Sequence, residues 1–401
     1  MLVRSFVPLV RLALITPFFL SACYLSHQRP GDLDGGRRDA ATRDAATRDA
    51  AMRDAGRDGG VDAGPTSCCP RYVLVRREIV ESFSEACVTP RLMAIEGEPA
   101  VVFVGPPDAT GPSGTQYVRL APDLSTRRDP VVVSQGSFTW GQPASEGTSF
   151  AVCWGRPGDG DVVRVYDANG NPRGDRFTLS DRDRSPCVSS AASAGHYAFV
   201  YETRDPDRAE LSLVTDTGFP VMGVEPVEAT GPGFVTASPG GFVVVWPHAL
   251  GLYFQEVRRG SLDNDAALPY FDLARILVSG SRIHLLRLSA TGWLHETLRF
   301  PSFAPELPTE SLGAPTGGVP AVALDACGRM VVSLPDTRGI GVIDADASPR
   351  GTFFDGNPTS GPSVGDDSVL AIGDSIYVAF AAVADGESEA SIHVDRWICA
   401  P

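Results

Sequence analysis

From residue 24 to about 66 the chain carries almost no large apolar side chains; from Arg71 onward, short apolar runs are split by Gly, Pro, Asp and Asn. Helical periodicity is nearly absent beyond Arg71, so the pattern predicts strands throughout. Seven similar hairpins can be drawn, each a small-residue strand, a turn with Gly and a more apolar strand. They join 92–95 to 100–104, 143–145 to 150–154, 188–190 to 197–201 and 234–237 to 242–246. The rest join 274–278 to 283–286, 319–323 to 330–333 and 368–372 to 376–380. Their turn glycines are Gly97, Gly147, Gly195, Gly240, Gly280, Gly328 and Gly373. Third strands follow several hairpins and end in look-alike turns. Asp167-Ala168-Asn169-Gly170-Asn171-Pro172-Arg173-Gly174 matches Asp344-Ala345-Asp346-Ala347-Ser348-Pro349-Arg350-Gly351 at most positions, and Asp216-Thr217-Gly218-Phe219-Pro220 is a weaker third copy.

A recurrence of roughly 40–50 residues is the period of a four-stranded propeller blade. Residues 68–401 therefore resemble a β-propeller, an all-β fold of seven four-stranded blades that has no named repeat signature. Six or eight blades also fit, because unit boundaries shift by several residues. The seventh unit ends on Ser391-Ile392-His393-Val394-Asp395-Arg396-Trp397-Ile398-Cys399, a third strand with no fourth after it. The fourth is expected from residues 72–80, ahead of the first unit. Antiparallel pairing of these two segments brings Cys399 near Cys68 or Cys69, where a disulfide would lock the ring. Cys153 and Cys187, in neighbouring units, form a second candidate pair.

The N-terminal part has a different texture. Arg38-Asp39-Ala40-Ala41-Thr42 repeats as Arg43-Asp44-Ala45-Ala46-Thr47 and Arg48-Asp49-Ala50-Ala51-Met52, then degenerates. Such a stretch buries too little surface to offset its ordering entropy, so residues 23–67 read as a disordered stalk. As a flexible coil it would span about 35–40 Å. Before it, Arg4 and Arg11, an apolar core and small residues compose a secretory signal over residues 1–22. Leu20-Ser21-Ala22-Cys23 resembles the lipobox of bacterial lipoproteins. That resemblance implies cleavage before Cys23, a diacylglycerol on its thiol and acylation of the new amine. Tyr24 rather than Asp after the cysteine implies sorting to the outer membrane.

Charge and cysteine content narrow the chemistry. The formal net charge is −15, and Arg and Asp nearly balance before residue 68, so the propeller segment holds the acidic excess. An acidic body argues against nucleic acid as a partner. All 34 basic residues are Arg, which excludes Schiff-base lysines and P-loop lysines. With Cys23 assigned to lipid, seven of the eight cysteines remain: Cys68, Cys69, Cys87, Cys153, Cys187, Cys327 and Cys399. In an exported protein these point to disulfides, with one left over.

The propeller resemblance implies a ligand face made of the loops between second and third strands and those joining blades. Acidic residues gather there: Asp159-Gly160-Asp161, Glu202 with Asp205 and Asp207, Asp336 beside Arg338, and residues 385–389, with Pro247-His248 at an equivalent place. Converging carboxylates could hold calcium or a cationic ligand, although Asp, Gly and Pro also make ordinary turns. His196, His284 and His393 fall in strand patterns, while His248 and His295 fall near loops. Trp154 and Trp246 end equivalent second strands and read as packing residues. Arg173-Gly174-Asp175 sits beside a turn and is given no role. No H-E-x-x-H, G-x-S-x-G or phosphate loop is present, so no catalytic, cofactor or metal residue is assigned. The expectation is a lipid-anchored binding or scaffold module of the cell envelope, with a protein or small-molecule ligand on the loop face. The alternatives are a hydrolase or lyase using acidic loop residues, and a structural envelope component.

Overall fold

The structure is a computed structural model. It describes residues 68–83, 89–105, 114–125, 128–135, 141–156, 160–180, 187–202, 209–224, 233–248, 251–258, 261–268, 273–289, 292–313, 320–334, 339–343, 352–354, 367–383 and 390–400. Strand β1 (Tyr72–Phe83) precedes the first blade. Blade 1 is β2 (Arg91–Ile95), β3 (Glu98–Gly105), β4 (Gly114–Arg119) and β5 (Val131–Gln135). Blade 2 is β6 (Gln142–Glu146), β7 (Ser149–Arg156), β8 (Gly160–Asp167) and β9 (Phe177–Ser180). Blade 3 is β10 (Cys187–Ser193), β11 (His196–Glu202), β12 (Ala209–Thr215) and β13 (Pro220–Val224). Blade 4 is β14 (Phe234–Ser238), β15 (Gly241–His248), β16 (Gly251–Arg258) and β17 (Ser261–Leu268). Blade 5 has β18 (Leu273–Ser279), β19 (Arg282–Ser289) and β20 (Gly292–Arg299), whose outer edge is shared by β21 (Ala304–Pro305) and β22 (Glu310–Gly313). Blade 6 is β23 (Val322–Leu324), β24 (Met330–Leu334), β25 (Gly339–Ile343) and β26 (Thr352–Phe354). Blade 7 is β27 (Ser368–Ile372), β28 (Ser375–Val383) and β29 (Ala390–Cys399), completed by β1 on its outside.

The seven innermost strands contact one another in sequence, and β27 contacts β2, so the sheets close into a seven-bladed propeller. Each junction between neighbouring blades holds its own apolar cluster, seven in all. A second strand lies between two neighbours and must bury both faces. That is why residues 101–103 and 243–246 read as unbroken apolar runs, and all seven are buried. Trp154 and Trp246 are buried packing residues of this kind, and the Trp246 indole N–H donates to Gln255 Oε1 at 3.3 Å.

Inner strands crowd the axis, which favours small side chains, and here serines also tie blades together. Ser189 Oγ accepts from Val235 N at 3.1 Å and lies 3.3 Å from Val235 O; Ser190 Oγ donates to Pro143 O at 2.7 Å. All seven predicted turn glycines adopt positive φ, between 55° and 87°, the left-handed region that Gly enters without a Cβ penalty. The turn at Asp167 is a hairpin turn. Asp167 Oδ1 accepts from Asn169 N (2.8 Å) and Asn171 N (2.9 Å), with Gly170 at φ +84°. Its look-alike at 344–351 lies outside the described residues.

Closure rests on more than strand pairing. β1 runs antiparallel to β29 from Tyr72↔Cys399 to Phe83↔Ala390, with bulges at 74–76 and 79–81. Arg77 donates through Nε and Nη2 to the two carboxylate oxygens of Asp395, each at 2.6 Å, and stacks over the Phe380 ring at 5.2 Å. Cys69 is disulfide-bonded to Cys399 (Cα–Cα 5.4 Å), and Cys68 to Cys327 (5.7 Å) in the β23–β24 turn. Those separations suit a disulfide. Of the two cysteines expected to reach Cys399, Cys69 does so, and Cys68 turns instead to blade 6. Two adjacent residues therefore fasten the start of the body to its last two blades. Arg329 reinforces this: it donates to Asp325 Oδ2 at 2.8 Å and to the Cys69 carbonyl at 3.0 Å.

Candidate functional site

Among the described residues, the end of the blade 2–3 junction nearest the turn between β7 and β8 gathers the most unusual chemistry. It forms because β8 alternates regularly against β7, pairing Trp154 with Val162 and Gly155 with Asp161. Val163 and Val165 then face blade 3, where they pack with Tyr197, Phe199 and Tyr201. By the same period of two, Asp161 also points at blade 3. Across the gap Tyr201 and Glu210 are cross-strand partners on β11 and β12. The Tyr201 hydroxyl lies 2.8 Å from Glu210 Oε2, 3.3 Å from Ser212 Oγ and 3.4 Å from the Leu179 carbonyl. Leu179 is the extra residue where β9 slips against β8 beside Asp161. Beneath these polar groups Cys153, on β7, is bonded to Cys187, the first residue of β10, with Cα atoms 6.2 Å apart.

Asp161 is 1% exposed, and none of the described groups makes a hydrogen bond to its Oδ2. Burial alone pushes its carboxyl up to about 7. The Tyr201 phenol is also pushed up, chiefly by burial, with the charges of Glu210 and Asp161 adding to the effect. Among the expected loop acids, Asp161 alone is both described and buried. Glu202 lies in β11, and Asp159, Asp205, Asp207, Asp336, Arg338 and residues 385–389 lie outside the described residues. Cys23 and Cys87 also lie outside them. Pro247 and His248 belong to β15 rather than to a loop.

A second buried group escaped the sequence pattern. His295, expected near a loop, sits inside β20, and its Nε2 lies 3.1 Å from Nδ1 of His284 on β19 with the rings parallel. Burial lowers both imidazoles to about 4, so the pair is neutral at pH 7. Residues 284, 286, 295 and 297 share one face, and Leu286 on that face packs against blade 6. Among the described residues, no three His, Cys, Asp or Glu side chains form a cluster able to hold a metal.

No protein-family profile matches the chain, and neither does any curated protein sequence. Solved structures do match. Virginiamycin B lyase of Staphylococcus aureus, bound to quinupristin, aligns with 82% of this chain and 100% of its own at 10% identity, TM-score 0.55. Hydrazine synthase of Kuenenia stuttgartiensis aligns over 70% and 89% respectively, at 10% identity and TM-score 0.52. The β-propeller domain of Cps50 (Swd1) from Myceliophteria thermophila aligns over 78% and 99%, at 11% identity and TM-score 0.50. What this chain shares with them is the propeller fold.

Proposed function

We propose that the protein is a lipid-anchored propeller of the bacterial cell envelope that presents its loop face to a protein or small-molecule ligand. The observation that carries this reading is the way the body begins. Its first two described residues, Cys68 and Cys69, are bonded to blades 6 and 7, after an Arg-Asp-Ala stretch with almost no large apolar side chains to pack. A stiff body held by its N-terminal end suits display at a distance from a surface. Three disulfides among the described residues also favour an oxidising compartment, in keeping with the signal segment and Cys23. Several acyl chains give stable membrane attachment where one does not.

Membrane fractionation and N-terminal mass spectrometry test the anchor. The expected result is a triacylated Cys23 in the outer-membrane fraction, with Cys23→Ala released into the soluble fraction. An unmodified N-terminus elsewhere would make this a soluble exported protein. The hydrolase or lyase reading draws support from Asp161, a loop-face acid that titrates near neutrality. It predicts turnover of some chromogenic ester, peptide or glycoside, with a pH limb near 7 that Asp161→Asn removes.

A further inference from the structure

β1 is the outer edge of blade 7 and runs for 12 residues. The outer strands of the other blades run for 2 to 8. Short edges keep a sheet from pairing with a neighbour, because an edge offers a row of backbone N–H and C=O groups. β1 is long, contains no Pro and, among the described residues, pairs only with β29. Its bulges at 74–76 and 79–81 blunt the ends of this edge but leave residues 76–79 in regular alternation. Val75 and Ile79 flank that stretch at 45% and 51% exposure, where edges usually carry charge. Between them Arg76 Nη2 donates to Glu78 Oε2 at 3.3 Å, both side chains partly in solvent.

The order of these residues is self-complementary. Two copies of a strand related by a two-fold axis pair antiparallel. The axis must pass between a residue and its own copy, because the two kinds of pair alternate along the ladder. With the axis at Arg77, Arg76 faces Glu78 of the partner subunit, and Glu78 faces Arg76 of the partner subunit. Val75 likewise meets Ile79 of the partner subunit, and the reverse. Opposite charges and apolar pairs directly across a ladder stabilise it. The two Arg77 side chains oppose one another, but each is already compensated by Asp395. An axis at Arg76 or Glu78 would instead set two exposed like charges face to face.

We propose that β1 is a docking edge for a second copy of this chain, the two strands pairing antiparallel about Arg77 in a two-fold dimer. The contact joins the two blades 7 into one continuous sheet through their outer strands. It rests on neither the lipid anchor nor a ligand on the loop face, so those readings stand or fall separately.

The test uses the full mature chain with Cys23→Ala, which keeps it in solution, in sedimentation velocity from about 1 to 500 µM, a span suited to transient contacts. The weight-average mass should climb toward twice that of one chain. Arg76→Glu places carboxylates opposite carboxylates and should weaken association at least about tenfold. Glu78→Arg should do the same with guanidinium groups. Mixed in equal amounts, the two variants should associate again, because each supplies the charge that the other lacks. Both positions are partly exposed, so neither change disturbs the core. A single-chain mass at every concentration overturns the proposal. So does a mixture that stays monomeric. Association that Arg76→Glu leaves unchanged overturns it as well, and would point to another exposed apolar edge, such as Phe219 and Val221 of blade 3.

Discussion

Asp395 and Asp161 are equally hidden, each 1% exposed, and each sits on the third strand of its blade. Asp395 receives a two-pronged hydrogen bond from Arg77, in a junction that also holds a disulfide. Asp161 has a disulfide nearby as well, but no counter-charge among the described residues. The fold can therefore compensate a buried carboxylate and does so where the ring must stay shut. A buried carboxylate with no described counter-charge, as at Asp161, is the kind of local cost that structures carry at functional sites.

The largest test of this contrast removes both staples. Cys68→Ser with Cys69→Ser should lower the unfolding free energy by on the order of 5 kcal/mol, since the loops they close are long. Each single replacement should cost less than half of that, because the remaining staple still holds the ring; urea denaturation of the four proteins gives the comparison. Next, Arg77→Met strands Asp395 and should cost about 3–5 kcal/mol. Adding Asp395→Leu should restore much of the loss, and failure to do so would remove charge compensation as the reason for the pair.

Asp161 should respond in the opposite sense. Its carboxyl titrates near 7 in the folded protein and at 3.8 when unfolded, so stability falls as pH rises between those values. Asp161→Asn should stabilise the protein at pH 8 by about 2–4 kcal/mol, with the gain shrinking toward zero near pH 4. His284 and His295 work against Asp161: folded values near 4 against 6.5 unfolded make stability rise with pH across that span. The Asp161→Asn profile should therefore climb more steeply from pH 4 to 7 than the wild-type one. The smallest effect is expected at Ser189→Ala, about 1 kcal/mol for the lost link to Val235, readable by the same denaturation.

The ring was legible because its signals are local: a Gly turn in each hairpin, a continuous apolar second strand, and a third strand at 391–399 lacking a neighbour. Which of Cys68 and Cys69 meets Cys399 was not. Consecutive residues of an extended chain point to opposite sides, and only the placement of two blades decides which cysteine takes which partner. The divided outer edge of blade 5 was hidden too. Pro301, Pro305 and Pro308 punctuate the segment that supplies its two short outer strands. Asp161 could be read as a loop acid, but Tyr201, whose phenol feels its charge, belongs to the next blade, so its burial lay beyond any local pattern. His295 was misplaced for a related reason: Gly292 reads as a loop residue, whereas it opens β20, whose partner is β19.

The two adjacent cysteines also impose an order of assembly. Cys69 and Cys399 are 330 residues apart and Cys68 and Cys327 are 259 apart. In a chain delivered from its N-terminus, Cys68 and Cys69 arrive long before their partners. Meanwhile β1 lacks β29 to cover its inner edge. Either these thiols stay reduced while five blades are laid down, or they form temporary bridges that thiol–disulfide exchange later resolves. Completion of this protein is thus a late event, set by the arrival of its last strand.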